Sequence, residues 1–173
     1  MTSKLNGLTV AALVGLAASG PAAAQQASAQ GAAAIAAKRQ SLREPVLGYF
    51  TTAAGGGPVA TAQNGAYQFF SGPSGRGMIL WKPAANGRPT SAYVVYGPIL
   101  TYFLAQGRET GLLGFPSGDP EPGDDEGGCS AYPSTTQNQV FNGSLPASQG
   151  GRLRFTTLCA QPNGAVYEGL VIQ

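Results

Sequence analysis

The residues of this sequence that could do chemistry are few, and most of them sit together. There is no histidine, so neither a Ser-His-Asp nor a Cys-His arrangement can form. Eight carboxylates remain: Glu44, Glu109, Asp119, Glu121, Asp124, Asp125, Glu126 and Glu168. A glycosidase needs two of them held across a cleft. Five of the eight crowd into 119–126, a Pro/Gly loop that does not preorganise an acid–base pair. The same loop offers oxygen atoms to Ca²⁺, but its spacing is not that of an EF-hand, and a solvated acidic loop is the simpler reading. No Gly-x-x-x-x-Gly-Lys string is present to hold a phosphate. The expectation is a protein that is not an enzyme, with no catalytic residue, no metal ligand and no cofactor.

Two cysteines, Cys129 and Cys159, cannot supply the four N/S ligands of a structural zinc site without histidine. In an exported chain they are expected to form a disulfide. The aromatic residues are the better ligand candidates, because sugar rings stack on flat aromatic faces. Trp81 is the single tryptophan, and Tyr67, Tyr93 and Tyr132 lie near it in sequence. These four are the candidate ligand-binding residues. The competing reading places Trp81 and Tyr96 in the core, between the sheet and the 98–106 helix, since large aromatics dominate small cores.

The elements that must position these residues follow from the order of the chain. Residues 1–24 read as a secretory signal peptide: Lys4 is the only charge, Leu8–Ala18 is an apolar run, and Ala22-Ala23-Ala24 supplies small residues before Gln25. The run is shorter than the roughly 20 apolar residues of a membrane span. Residues 25–30 are expected to be a flexible N-terminus. Gly31–Glu44 reads as a helix, with Ile35 and Leu42 on one face and Lys38, Arg39 and Arg43 on the other, stopped by Pro45. After a loop at 53–58, Ala66–Phe70 and Gly77–Lys82 read as a hairpin and Ser91–Tyr96 as a third strand. Gly97-Pro98 opens a short helix with Ile99, Leu100, Phe103 and Leu104 on one face, and Gly107 stops it. Leu113, Gly114, Phe115 and Pro116 read as a structural turn, with Phe115 buried and Gly114 in a backbone conformation closed to other residues.

The pattern then begins again. Gln139-Val-Phe-Asn-Gly143 repeats the Gln-x-Phe-x-Gly of Gln68–Gly72. Leu153–Leu158 takes the place of Met78–Lys82, and Ala165–Val171 takes that of Val94–Ile99, with Gly169 answering Gly97. Leu47-Gly48 answers Leu113-Gly114. The expected fold is α+β and mostly β: a single domain, 31–173, of two repeats at about 31–97 and 98–173. Each repeat holds a short helix, a Leu-Gly turn and a β-hairpin with one additional strand. Units of this kind cover one another's apolar faces.

In this order, Gln-x-Phe-x-Gly, Ile79-Leu80-Trp81, Val95-Tyr96-Gly97-Pro98-Ile99 and Leu113-Gly114-Phe115-Pro116 resemble the LGFP repeat family. The resemblance covers roughly Ile35 to Val171 in two copies and is best from Gln68 through Pro116. Phe50 replaces the proline in the first copy of the turn, and the last copy lacks its helix and its Leu-Gly-Phe-Pro. The resemblance implies small hairpin–helix units about a pseudo-symmetric axis. It also implies a bacterial secreted, periplasmic or cell-envelope protein, since such repeats are attached to mycolyltransferases and cell-wall hydrolases.

Two functions are consistent with this reading. One is a secreted non-catalytic module that binds cell-envelope polysaccharide or peptidoglycan. The other is an exported interaction or structural protein, a partner subunit or inhibitor, that pairs with a secreted protein through exposed hairpin edges. A formal net charge of +2 with no cluster of Lys or Arg argues against a nucleic-acid groove. No stable membrane insertion is expected once the signal peptide is removed.

Overall fold

The structure is a computed structural model that describes residues 21–85, 89–121, 129, 137–144, 147–149 and 153–172. Helix α1 (Pro21–Ser41) leads into a 3-10 turn at Val46–Tyr49. Four strands follow: β1 (Thr52–Ala60), β2 (Ala66–Gly72), β3 (Gly75–Lys82) and β4 (Ser91–Tyr96). Helix α2 (Gly97–Ala105) precedes β5 (Phe115–Pro116), β6 (Gln137–Ser144), β7 (Leu153–Ala160) and β8 (Val166–Ile172). The strands form two four-stranded antiparallel sheets in the orders β1-β2-β3-β4 and β5-β6-β7-β8. The fold is α+β and mostly β, as expected. Two boundaries differ from the sequence reading. Helix α1 takes in residues 25–30, expected to be non-helical, and ends three residues before Glu44. The stretch 53–58, expected as a loop, belongs to β1, whose pairing with β2 is interrupted between Ala54 and Val59.

Strand β3 is buried on both faces, which is why Met78-Ile79-Leu80-Trp81 is an unbroken apolar run. On one face Ile79 and Trp81 pack with Ala66, Phe70, Val94, Phe50 and Ile35 of α1. On the other, Met78, Leu80 and Val95 meet Ile99, Leu100 and Phe103 of α2, and beyond them Leu113, Phe115, Phe141 and Leu158 of the second unit. Helix α2 touches β3 and β4 on one side and β7 and β8 on the other. It is thus the wedge that joins the two sheets. Pro98 stands in its first turn, and Gly107, at φ 85°, ends it in the left-handed region.

The shared Gln-x-Phe-x-Gly string has a physical reading at each position. The glycine lets the turn before the sheet cross β2 or β6 at backbone contact. A Cβ on Gly72 would lie 2.1 Å from the Gly48 carbonyl oxygen, and one on Gly143 1.7 Å from that of Leu112. The phenylalanine is buried, Phe70 against Phe50 (5.6 Å between ring centroids) and Phe141 against Phe103 (5.1 Å). The glutamine braces the interrupted edge strand beside it. Gln68 Nε2 donates to the Gly56 carbonyl (3.3 Å), and Gln139 Nε2 donates to that of Gly118 (3.0 Å).

Strand register corrects three of the equivalences drawn from sequence. Thr157 faces Val140 as Met78 faces Phe69, so Thr157, and not Leu153, answers Met78. Thr52 stands opposite Ser71 as Phe115 stands opposite Asn142, so the buried Phe50, not Leu47, occupies the place of Leu113. Glu168 faces Leu158 as Val94 faces Ile79, so Gly169 does not answer Gly97. Short strings align by letter, whereas the sheet aligns by pairing, and a 3-10 turn in one copy shifts the letters. Gly114 does adopt the left-handed conformation expected of it, at φ 64°.

The two sheets differ on the face that points away from the helix of their own unit. Tyr67, Phe69, Met78 and Leu80 occupy that face in the first sheet and are covered by α2 and the second unit. In the second sheet the same register positions hold Asn138, Val140, Thr157 and Cys159. Cys159 is bonded to Cys129, with 5.8 Å between the Cα atoms and 30 residues between the two in sequence, and both are buried. Closing a loop of this length stabilises by about 3–4 kcal/mol on the chain-entropy argument.

The crossing contact gives a direct test. Gly143→Ala is expected to cost about 3 kcal/mol, because the clash is with backbone and cannot be relieved by a rotamer. Gly57→Ala, whose Cβ meets nothing within 4 Å, is expected to stay within about 0.5 kcal/mol of the parent. Urea unfolding of the two variants compares them; equal losses would refute the crossing as the reason for the glycine.

Candidate functional site

The four aromatics singled out in the sequence are not assembled into one site. Trp81 is 3% exposed, and its indole N–H donates to the Thr90 hydroxyl at 2.8 Å, so neither its face nor its polar edge is open to a ligand. It fills the core, but against α1 and not against the 98–106 helix. Tyr67 and Tyr93 flank Leu80 in one row on the opposite face of the sheet. The ring of Tyr67 is covered by the Arg108 guanidinium, 4.4 Å from its centroid, and by the edge of Phe69. Tyr132 lies outside the described residues, as do Asp124, Asp125 and Glu126.

Asp119, read as part of a solvated acidic loop, is instead a strut. Its Oδ1 accepts the backbone N–H of Val94 at 3.0 Å, and its other oxygen pairs with Lys38 of α1. Gln139 Nε2 donates to the Val94 carbonyl at 2.7 Å. The free edge of β4 is therefore closed at Val94 by two side chains of the second unit. Among the described residues no group of three or more acidic or Cys side chains converges as a metal site would require.

A different pair of aromatics does meet. Tyr49 comes from the 3-10 turn and Tyr96 from the end of β4, and their rings lie 4.7 Å apart at 34°. Both are half-buried. They sit in a groove of about 450 Å³ whose walls include Pro45, Pro98, Pro120 and Gln137. Three prolines give rigid apolar walls with no N–H to satisfy. Gln137 is 8% exposed, and its Nε2 makes no hydrogen bond of good geometry, although the amide lies close enough to the Tyr96 phenol to offset part of the effect of burial on that group. Burial pushes the Tyr96 phenol above the ordinary tyrosine range. A Cβ at Gly97, φ 61°, would lie 3.6 Å from Gln137 Oε1 and 3.8 Å from the Tyr49 hydroxyl, so two polar groups flank the backbone that starts α2. Sequence reasoning missed Tyr49 and Gln137. The only signals were the adjacency of Tyr49 to Leu-Gly and of Tyr96 to Gly-Pro, and nothing local links the two.

A second cleft, of about 660 Å³, opens at the opposite end of the first sheet, between Gln63 and Lys82 on one side and Glu109, Asn142 and Ser144 on the other. Glu109 is 2% exposed, and its Oε2 accepts no hydrogen bond; the Arg108 Nε lies 3.6 Å away.

Residues 47–111 match the LGFP repeat family. This segment resembles a single LGFP repeat. The matched span opens at the turn before β1 and closes at Gly111, so it takes in the first sheet, α2 and the approach to the next turn. The groove draws Tyr49, Tyr96 and Pro98 from this LGFP repeat and Pro120 and Gln137 from the unit after it. The chain matches no curated protein and no solved structure. No helix among the described residues is long and apolar enough to cross a membrane. The LGFP repeat and the disulfide both favour an extracellular or envelope location.

Two measurements check this geometry. Trp81 emission is expected to be blue-shifted and resistant to acrylamide quenching, which a red-shifted, readily quenched tryptophan would refute. Tyr96 keeps its proton in the folded state at a pH where the unfolded chain has lost it. Its contribution is therefore full below about pH 10 and is lost as pH rises beyond that. The urea midpoint is expected to fall with pH above about 10, and Tyr96→Phe to make that fall shallower.

Proposed function

We propose that this protein is a secreted, non-catalytic binding module that holds cell-envelope polysaccharide or peptidoglycan in the Tyr49–Tyr96 groove. The observation that carries this reading is the half-exposed tyrosine pair with proline walls and a buried amide beside it. A sugar ring presents C–H groups on its faces and hydroxyls on its rim. Flat rings take the faces, and Gln137 and the Tyr49 hydroxyl are placed to pair with the rim. Catalysis has little to draw on. The sequence has no histidine, Asp119 and Glu168 are engaged in ion pairs, and Glu109 is buried beside Arg108. Removal of the leader after Ala24 would release residues 25–173 to the periplasm, the envelope or the medium.

Pairing with another protein through a hairpin edge has less support. Both outward backbone groups of Val94 are already bonded, and β1 is interrupted by Gly55-Gly56-Gly57-Pro58, which blunts an edge against pairing.

The test is binding of the exported protein to insoluble peptidoglycan sacculi. Saturable binding that soluble glycan fragments compete away is expected. Tyr49→Ala is expected to weaken it at least tenfold while the circular dichroism spectrum is unchanged. Sacculi bound equally well by Tyr49→Ala would remove the groove from the function. A folded protein that ignores sacculi and co-purifies with another exported chain would replace the glycan reading with the protein-partner one.

A further inference from the structure

The tyrosine groove continues past its two rings. Two further hollows open into it, one on each side. On the side of Tyr49, a hollow of about 370 Å³ shares Tyr49, Ser74 and Pro98 with the groove and runs along α2 past Thr101 to Arg76. On the side of Tyr96, a hollow of about 330 Å³ shares Val46, Tyr96 and Pro120 with it and reaches α1. A half-exposed ring pair with open space on both sides fits an inner unit of a linear chain, not only a chain end.

The charges along this channel are unevenly placed. Toward α1, Lys38 is paired with Asp119. The Arg43 guanidinium there is turned back on the Gln40 and Leu42 carbonyls, at 3.1 and 2.9 Å, and Glu44 follows it on the same wall. Glu121 stands on the wall of the central groove. In the hollow beside α2, Arg76 is the only charged residue of the lining. It is exposed, and no carboxylate among the described residues pairs with it.

Arg76 is nevertheless held in place. It is the second residue of β3, directly after the two-residue turn Pro73-Ser74 that joins paired Gly72 and Gly75. Its guanidinium carbon lies 5.1 Å from the centroid of Phe69, whose ring gives the cation a face to rest on. The Ser74 N–H donates to the Gly48 carbonyl at 3.1 Å, which ties this turn to the residue before Tyr49. A Cβ on Gly75 would lie 3.4 Å from Tyr49 Cε1, so the tyrosine ring touches the residue next to Arg76. A guanidinium resting on a ring keeps its N–H groups free, and their fork matches two oxygens of a carboxylate or a phosphate.

From these observations we infer that the groove takes an acidic glycan: an inner sugar lies on the Tyr49–Tyr96 pair, and Arg76 holds an anionic group, a carboxylate or a phosphate ester, on the adjoining unit. The inference rests on the glycan reading above and adds to it the charge of the substrate and its direction. Glu121 and Glu44 repel an anion toward α1, so the chain lies with its acidic group toward α2.

The experiment is calorimetric titration of the exported protein with soluble glycan fragments released from sacculi by muramidase. One sample is left untreated, one has its carboxyl groups amidated with carbodiimide and methylamine, one is stripped of phosphate esters with cold hydrofluoric acid, and one receives both treatments. The untreated fragments are expected to bind most tightly, and the single treatment that weakens binding identifies the anionic group. Arg76→Gln is expected to weaken binding of untreated fragments about fivefold, the scale of an exposed charge-assisted contact, and to erase the difference between samples. Thr101→Glu, at an exposed position on the same hollow, leaves Arg76 in place and is expected to weaken untreated fragments more than doubly treated ones. Untreated and doubly treated fragments bound equally by the parent would overturn the acidic substrate and leave the tyrosine groove standing. A charge preference that survives both variants would overturn the role of Arg76. No binding of any fragment by the folded protein would overturn the glycan reading itself.

Discussion

Two stretches of backbone touch where each unit of this protein turns into its sheet, and that contact exists because glycine occupies the crossing. At Gly72 and Gly143 there is no room even for a methyl group. The rest of each unit is arranged around this point. The phenylalanine two residues earlier must enter the core beneath the turn, and the glutamine two residues before that must face the interrupted edge strand. The string Gln-x-Phe-x-Gly is thus a steric statement about one crossing, made twice. The helices obey it differently. Over Phe70 lies the Arg39 guanidinium, 5.6 Å from the ring centroid, whereas Phe103 lies over Phe141. A helix with one side in solvent can use a charged stem there, but a helix wedged between two sheets needs an apolar ring.

The tyrosine groove and the Glu109 cleft lie at ends of the first sheet, where strands give way to turns and where the second unit is brought alongside. The tyrosine groove needs the 3-10 turn and the end of β4 from the LGFP repeat, and Pro120 and Gln137 from the unit after it. The Glu109 cleft needs the turn after α2 and the end of β6. Neither is complete in one unit. The struts that fix the junction are polar. Asp119 reaches both α1 and β4, and Gln139 reaches β4, so the spacing of each is set by hydrogen bonds of defined length as well as by core packing.

Much of the fold was legible in the sequence because it rests on local signals. The β2–β3 hairpin, the limits of β4, the helix opened by Pro98 and closed by Gly107, and the Cys129–Cys159 pairing each follow from residue type at a fixed position. The identity of the repeated unit was legible from Gln68 to Pro116, where the order of strings is unbroken. Strand β1 was not, because Gly55-Gly56-Gly57-Pro58 reads as a loop and pairs on either side of its interruption. The site was not legible either. Trp81 was the obvious stacking residue by size, and size is also what placed it in the core. Tyr49 and Tyr96 stack only after two turns far apart in sequence have been brought together. Gln137 owes its interest to burial, which has no signature in the letters.

The swap on the far face of the second sheet has a consequence for how each sheet face is closed. In the first unit Tyr67, Phe69, Met78 and Leu80 call for a successor, because an apolar face must be covered. In the second, Asn138, Thr157 and Cys159 are buried as well, Cys159 bonded to Cys129, while Val140 beside them is exposed. A sheet face is thus closed by apolar packing in one unit and includes a covalent tie in the other.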